Sequence, residues 1–232
     1  MKSDDVRFVA DGEFFSSLPA AVDFVLVRHG ESDGNAAGIF QGRQDYPLSA
    51  LGRDQAAARG TSLVKLIGER GAVVFCSPLS RAQESARIIA RTAGVGEPRV
   101  EEALIELDTG SWTGRSWTEI QETETEAWRR FHSESWAAIS DAESPEALYG
   151  RAMQAWAILR DAAATEGVGT VIAVSHGGFL QWLIRTTFGC RSWFPLVPTH
   201  NCAVSRLRVE PAGTERAYIS WKVLDEKVEI GA

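Results

Sequence analysis

Three short apolar runs constrain this chain more than any other feature of it. Ala21 to Val27 is unbroken except at Asp23, Ala72 to Cys76 has no polar interruption, and Gly169 to Ser175 reads GTVIAVS. A strand with one face in water alternates apolar and polar residues. A run without that alternation needs cover on both faces, as in a parallel sheet. Segments of helical character separate the runs: Ser49 to Ile67, Leu79 to Thr92, Pro145 to Thr165 and Gly178 to Phe188. Ser77-Pro78 offers the second of these a cap and a proline at the first helical position. Cys202 to Val209 and Ala217 to Val223 read as later strands. Strands alternating with helices predict an α/β fold, a three-layer α/β/α sandwich with a mainly parallel sheet.

The 232 residues suffice for one domain with a sizeable core. Residues 1–20 read as a loosely attached N-terminal extension and residues 21–232 as a single domain. Within it, segment 109–144 carries Trp112, Trp117, Trp128 and Trp136 among many polar residues. It reads as an insertion or lid over the C-terminal edge of the sheet. Its tryptophans either touch a ligand there or pack a satellite core, since aromatic burial serves both ends.

The formal net charge of −7 argues against nucleic acid or an anionic membrane as the main partner. No apolar run approaches the roughly 18 residues of a membrane span. Asp4, Asp5, Asp11 and Glu13 interrupt the N-terminus, which has no apolar stretch of the signal-peptide kind. Cys76, Cys190 and Cys202 are odd in number and form no CxxC pair. A reduced, cytoplasmic setting fits them better than a disulfide framework or a zinc site.

In open α/β sheets, ligands bind beyond the carboxyl ends of the strands. Here the first run ends in Arg28-His29-Gly30-Glu31, the second in Ser77-Pro78 with Arg81 a turn later, and the third in Ser175-His176-Gly177-Gly178. Parallel neighbours would bring two histidines and two arginines to one edge. The histidines have no metal-ligand spacing, and the arginines would repel a cation, so no metal is expected. A phosphate suits the set, because guanidinium groups bond its oxygens bidentately. Backbone N–H groups at the helix starts near Ser77 and Gly177 would add donors. His132 and His200 fit no such pattern: His132 reads as solvent-facing and His200 as a loop residue near the pocket wall.

These residues resemble a known family. Val27-Arg28-His29-Gly30-Glu31-Ser32, followed by Asn35, is similar to the R-H-G-[ET] signature of the histidine phosphatase superfamily, which includes the cofactor-dependent phosphoglycerate mutases. Ser77-Pro78-Leu79-Ser80-Arg81-Ala82 resembles its S-P-L-x-R-A motif. Leu104-Ile105-Glu106 with Gly110, Trp112 and Gly114 resembles its L-x-E-x-x-x-G-x-W-x-G motif, and Ser175-His176-Gly177-Gly178 its last. Four motifs in family order, each at a strand end or edge loop, span residues 22 to about 208. The resemblance implies a phosphoglycerate mutase-like fold and a set of roles. His29 would take the phosphoryl group, while Arg28, Arg81 and His176 hold its oxygens. Glu106 would protonate the leaving oxygen and later activate water. Ser32, Asn35, Gln41, Gly42 and Gly177 would bind or line the phosphate and substrate pocket. Neither cofactor nor metal is implied. The partner would be a small phosphorylated metabolite, with a homodimer left open.

The chemistry of the residues points the same way. A nucleophilic imidazole must be neutral, and two guanidinium groups beside it disfavour imidazolium. The same groups stabilise the transferring phosphoryl. The acid is less fixed, because Asp108, Glu101 and Glu102 lie close to Glu106 in sequence. The family's W-E-G is here Trp112-Thr113-Gly114, which removes a carboxylate beside the acid motif. Glu106 and His176 are about 70 residues apart, short for a mutase, and Gln41-Gly42-Arg43-Gln44-Asp45-Tyr46-Pro47-Leu48 matches the Q-G-x-x-D-x-P-L of the broad phosphatase branch. The expectation is a metal-independent phosphomonoesterase working through phosphohistidine. Its rivals are a phosphoglycerate mutase-type transferase and a non-catalytic phospho-ligand binding protein.

Overall fold

The computed structural model describes residues 9–213 and 215–229. The three apolar runs form β1 (Val22–Arg28), β2 (Ala72–Cys76) and β4 (Thr170–Ser175). They lie side by side and parallel, with β4 in the middle, in a sheet of order β3-β2-β4-β1-β5-β6. A two-residue strand, β3 (Arg99–Val100), extends the parallel part, while β5 (Val204–Glu210) and β6 (Tyr218–Glu226) add antiparallel strands beyond β1. The register pairs Arg28 with Ser175, so β1 and β4 end level and their following histidines start from the same edge.

Alternate side chains of each central strand face opposite layers. Val25, Val27, Val74, Cys76, Ile172 and Val174 pack with α2 (Ala50–Ile67) and α3 (Ser80–Ala93). Phe24, Leu26, Val73, Phe75, Val171 and Ala173 pack with α6 (Pro145–Glu166) and α7 (Gly177–Thr186). This gives the three layers the sequence predicts and explains why the runs do not alternate.

Helices α2 and α6 start as side-chain chemistry dictates. The Ser49 hydroxyl accepts from Gly52 N at the head of α2, and Ser144 accepts from Ala147 N with Pro145 in the first turn of α6. Helix α3 corrects the expected cap: it begins at Ser80, after Leu79, and Ser77 lies outside it. Its first amide is held by Asp45, whose carboxylate accepts from Ser80 N at 2.9 Å. Ser77 Oγ instead accepts from Leu79 N at 3.3 Å, just outside the helix.

Two further expectations change. Residues 9–20 are not loosely attached. Ala10, Phe15 and Leu18 are buried, and the Phe15 ring packs on Phe24 and Trp156 at 5.3 and 5.5 Å. Ala10 N donates to Thr186 O, and Ala217 N to Gly12 O. Residues 1–8 of the predicted extension lie outside the described residues. Segment 109–144 forms two short helices, α4 (Trp117–Thr123) and α5 (Thr125–Glu134), between 3-10 turns. Its tryptophans divide. Trp112 and Trp136 are buried in the main core, not in a satellite, and pack with Phe40 and Phe131. Trp117 stands 54% exposed.

Candidate active site

His29 follows directly on β1 and is 2% exposed. Its backbone is fixed on both sides: His29 N donates to Ser175 O, and Asn201 Nδ2 donates to the His29 carbonyl. Its Nδ1 lies 2.6 Å from the Gly30 carbonyl. A carbonyl can only accept, so Nδ1 carries the ring proton and Nε2 is left with a lone pair. Burial holds the His29 pKa well below the usual histidine value, and the Arg81 and Arg28 charges push it further down.

Arg28 is the last residue of β1. One terminal nitrogen donates to the Thr199 carbonyl at 2.7 Å. Arg81, in the first turn of α3, is 1% exposed and donates to the carbonyls of Gln44 and Gly42, each at 2.8 Å. Glu84 takes no part, since it pairs with Arg53. His176 caps the end of β4. Its ring is 5.0 Å from that of His29, and its Nε2 lies 2.7 Å from Ser77 Oγ. Burial, then Arg81, holds His176 far below the usual pKa as well.

Three buried polar atoms in this group have no partner: Arg28 Nε, Arg81 Nε and His176 Nδ1. Buried donors are ordinarily satisfied. Ser77 Oγ accepts from Leu79 N at 3.3 Å and can give its own proton to His176 Nε2, which makes His176 Nδ1 a donor. All three donors then belong to residues around His29, and an oxyanion would satisfy them.

Glu106 is held by α7. Its carboxylate accepts from Leu107 N, Phe179 N and Gly178 N at 2.8, 2.8 and 3.1 Å. Of the backbone donors at the helix starts, those at Gly178 and Phe179 bind Glu106 and that at Ser80 binds Asp45, while Gly177 lines the cavity. The other carboxylates are disposed elsewhere. Asp108 accepts from Gly110 N with its side chain 46% exposed, and Glu101 accepts from Ala103 N.

Arg28, His29, Asn35, Gln41, Gly42, Arg81, Glu106 and Gly177 all line one cavity of about 160 Å3. Among the predicted pocket residues, His176, fully buried beside His29, and Ser32 do not line it. Ser32 supports the pocket from outside. It is fully buried, caps the short helix α1 (Asp33–Ala36) and donates to Gln41 Oε1 at 2.8 Å, so it positions Asn35 and Gln41 from behind. Thr113, where the family has Glu, lies 2.7 Å from Thr109 Oγ1. His132 and His200 do not line this cavity: His132 bonds the Trp128 carbonyl and lines a larger cavity beside it, and His200 pairs with Asp225.

Several supporting residues carry no signal in the sequence. Ser85 accepts from Gly30 N, and Asn201 bridges His29 to Asn35. Arg151, in mid α6, donates to the Ile105 carbonyl at 2.5 Å and to Glu143 at 2.7 Å, with its guanidinium 4.0 Å over the Phe179 ring. Only Ser77 could have been found, since its motif is visible, but a cap was the nearer reading. Among the described residues no cluster of three or more His, Cys, Asp or Glu is placed to hold a metal ion, and no helix is long and apolar enough to cross a membrane.

Comparison with known proteins agrees with this geometry. The model of the histidine phosphatase superfamily (branch 1) matches residues 24–221. A metal-independent phosphoserine phosphatase of Arabidopsis thaliana is 37% identical over 165 residues, which cover 68% of this chain and 66% of that protein. A protein of Enterobacter sp. (strain 638) named "Probable phosphoglycerate mutase" is 33% identical, covering 78% of this chain and 82% of its own. The solved structure of a mycobacterial glucosyl-3-phosphoglycerate phosphatase in complex with VO3 superposes with a TM-score of 0.76 at 26% identity, over 89% of this chain and all of that one. The chain belongs to branch 1 of the histidine phosphatase superfamily and is an enzyme of the phosphatase kind.

Proposed function

We propose that the chain hydrolyses a small phosphomonoester through a phosphohistidine on His29. The observation that carries this is the set of unpartnered donors on Arg28, Arg81 and His176 around a histidine whose Nδ1 is taken by Gly30. The phosphate oxygens would take those donors, and Nε2 of His29 would attack phosphorus. As the new N–P bond forms, the P–O bond to the alcohol breaks, and the departing oxygen receives a proton from Glu106. Water then attacks the phosphohistidine, giving its proton to the Glu106 carboxylate, and inorganic phosphate leaves. The two guanidinium groups stabilise the transferring charge in both steps.

Phosphohistidine is acid-labile and alkali-stable, which supplies the test. Enzyme labelled with a 32P-phosphoester should keep the label on His29 after an alkaline quench and lose it after an acid quench. Acid-stable label, or label on Ser32 or Ser175, would overturn the reading. A label passing to a second substrate hydroxyl in place of water would make the chain a mutase. The three free cysteines, two of them buried, suit a reducing compartment such as the cytoplasm.

A further inference from the structure

The cavity that holds His29 and Glu106 adjoins a second, larger one of about 530 Å3. Phe40, Trp117, Trp136, Gly177 and Gly178 line both. A group bonded to a phosphate in the first cavity therefore continues into the second, whose size is that of an ordinary small-molecule site.

Most of the walls of the second cavity are aromatic or aliphatic. Trp128, Phe131, Trp193, Phe194 and Leu196 add to the shared aromatics, and no Lys, Arg, Asp or Glu lines it among the described residues. Its polar side chains are those of Gln181, His132, Ser135 and Thr199. Gln181 Oε1 accepts from Val197 N at 3.1 Å and Arg185 Nη1 at 2.6 Å, and Nε2 donates to the Val197 carbonyl. His132 Nδ1 donates to the Trp128 carbonyl at 2.9 Å, and Thr199 Oγ1 donates to the Gly177 carbonyl at 3.4 Å. In the first cavity the charged groups among the described lining residues are Arg28, Arg81 and Glu106. All three have work at the phosphate and the leaving oxygen. A carboxylate or ammonium elsewhere on the substrate would meet no Lys, Arg, Asp or Glu in the second cavity to offset its loss of water, which is costly.

The rim gives a second, separate sign. Trp117, Phe194 and Leu196 are 54, 38 and 51% exposed, and all three line this cavity. Large apolar side chains left exposed together around a concavity mark a place where an apolar partner is received. Trp117 is already held flat, stacked on Phe40 with ring centres 5.2 Å apart and planes 17° from parallel.

We propose that the substrate is a phosphomonoester of a bulky, uncharged, apolar or aromatic alcohol, whose body lies in the aromatic cavity. Phosphoserine and 3-phosphoglycerate are then poor substrates, although relatives of this chain are named for them or for their chemistry. The inference rests on the phosphohistidine reading and gives it a substrate class.

The test compares primary alkyl esters, whose alkoxides leave with similar basicity, so that only the body differs. 4-Phenylbutyl phosphate should exceed propyl phosphate in kcat/KM by about tenfold or more. Phosphoserine and 3-phosphoglycerate should fall below propyl phosphate. Leu196→Asp sets a charge at an exposed wall position and should bring the phenylbutyl-to-propyl ratio towards one, while Leu196→Met should keep it. Phe194→Ser provides a second, independent loss of the same ratio. A wild-type ratio near one, or phosphoserine or 3-phosphoglycerate matching the phenylbutyl ester, would overturn the proposal while leaving the phosphohistidine mechanism intact. Calorimetric binding of the non-hydrolysable 4-phenylbutylphosphonate and propylphosphonate separates the two readings. Tenfold tighter binding of the former without turnover of any ester would sink the mechanism and sustain the apolar subsite.

Discussion

With Nδ1 of His29 held 2.6 Å from the Gly30 carbonyl, the ring's other nitrogen has no proton to give and a lone pair to offer. Burial and two guanidinium groups keep the ring neutral, so in the proposed role of nucleophile it needs no separate base at neutral pH. The leaving oxygen is the harder problem, and it depends on its own basicity. An alkoxide needs a proton in the transition state, whereas p-nitrophenolate does not. General acid catalysis contributes about 10²–10⁴-fold, so Glu106→Gln should slow the single-turnover burst by roughly that factor with an alkyl phosphate. With p-nitrophenyl phosphate the loss should be far smaller. Asp108→Asn, at a side chain 46% exposed and outside the cavity, should change neither burst appreciably. Equal slowing of both substrates by Glu106→Gln would remove Glu106 from the acid role. At this scale the sequence was informative where a motif names a side chain, as at Arg28, His29, Arg81 and His176. It was silent on Ser85, Thr199 and Asn201, whose bonds each pair a side chain with a backbone atom brought close only by folding.

Helix α7 carries two tasks that meet at its first turn. His176 precedes it, and its amides at Gly178 and Phe179 hold Glu106. The close approach depends on Gly178 lacking a side chain: a Cβ there would lie 2.1 Å from Leu107 Cδ2 and 2.8 Å from Glu106 Oε1. Gly178→Ala must therefore push Glu106 and Leu107 outwards. It should reproduce the leaving-group pattern of Glu106→Gln in weaker form, with alkyl phosphates losing more than p-nitrophenyl phosphate in the burst. Equal kinetics for the two esters would mean that the acid tolerates displacement from α7. The central strands and the four long helices were legible, because unalternating runs and capped helices leave local marks, whereas the short elements α1, α4, α5 and β3 were not read. Boundaries set by distant groups were not: α3 starts where Asp45, 35 residues earlier, accepts the Ser80 amide. The antiparallel strands β5 and β6 read as strands, but their direction follows from pairing outside β1 and leaves no trace in their own residues.

Across the whole molecule, the site is a cluster of buried cations and neutral imidazoles at the edge of a well-packed sheet. The segment 9–20 illustrates how global packing can override local appearance: Phe14 and Phe15 sit among polar residues, yet Phe15 fills the core beside Trp156. The buried histidines also tie the site to the stability of the fold. An unfolded histidine titrates near pH 6.5. His29 and His176 are both held well below that value when folded, chiefly by burial. Above pH 6.5 both states are neutral there and the histidines contribute no pH dependence. Below it the unfolded chain takes up two protons that the folded chain refuses, so stability falls as pH falls, until the folded values are reached. Each site contributes a slope approaching about 1.4 kcal/mol per pH unit. Between pH 7 and 5.5 the pair should therefore remove about 2 kcal/mol of unfolding free energy, measured by urea titration at each pH. Carboxylates titrate in the lower part of this range, so the comparison that isolates the histidines is with His29→Gln/His176→Gln. That variant should lose markedly less stability over the same interval, whatever its stability at pH 7. An identical loss in both proteins would show that the two rings accept protons in the folded state, and with that the neutral nucleophile would no longer follow from the geometry.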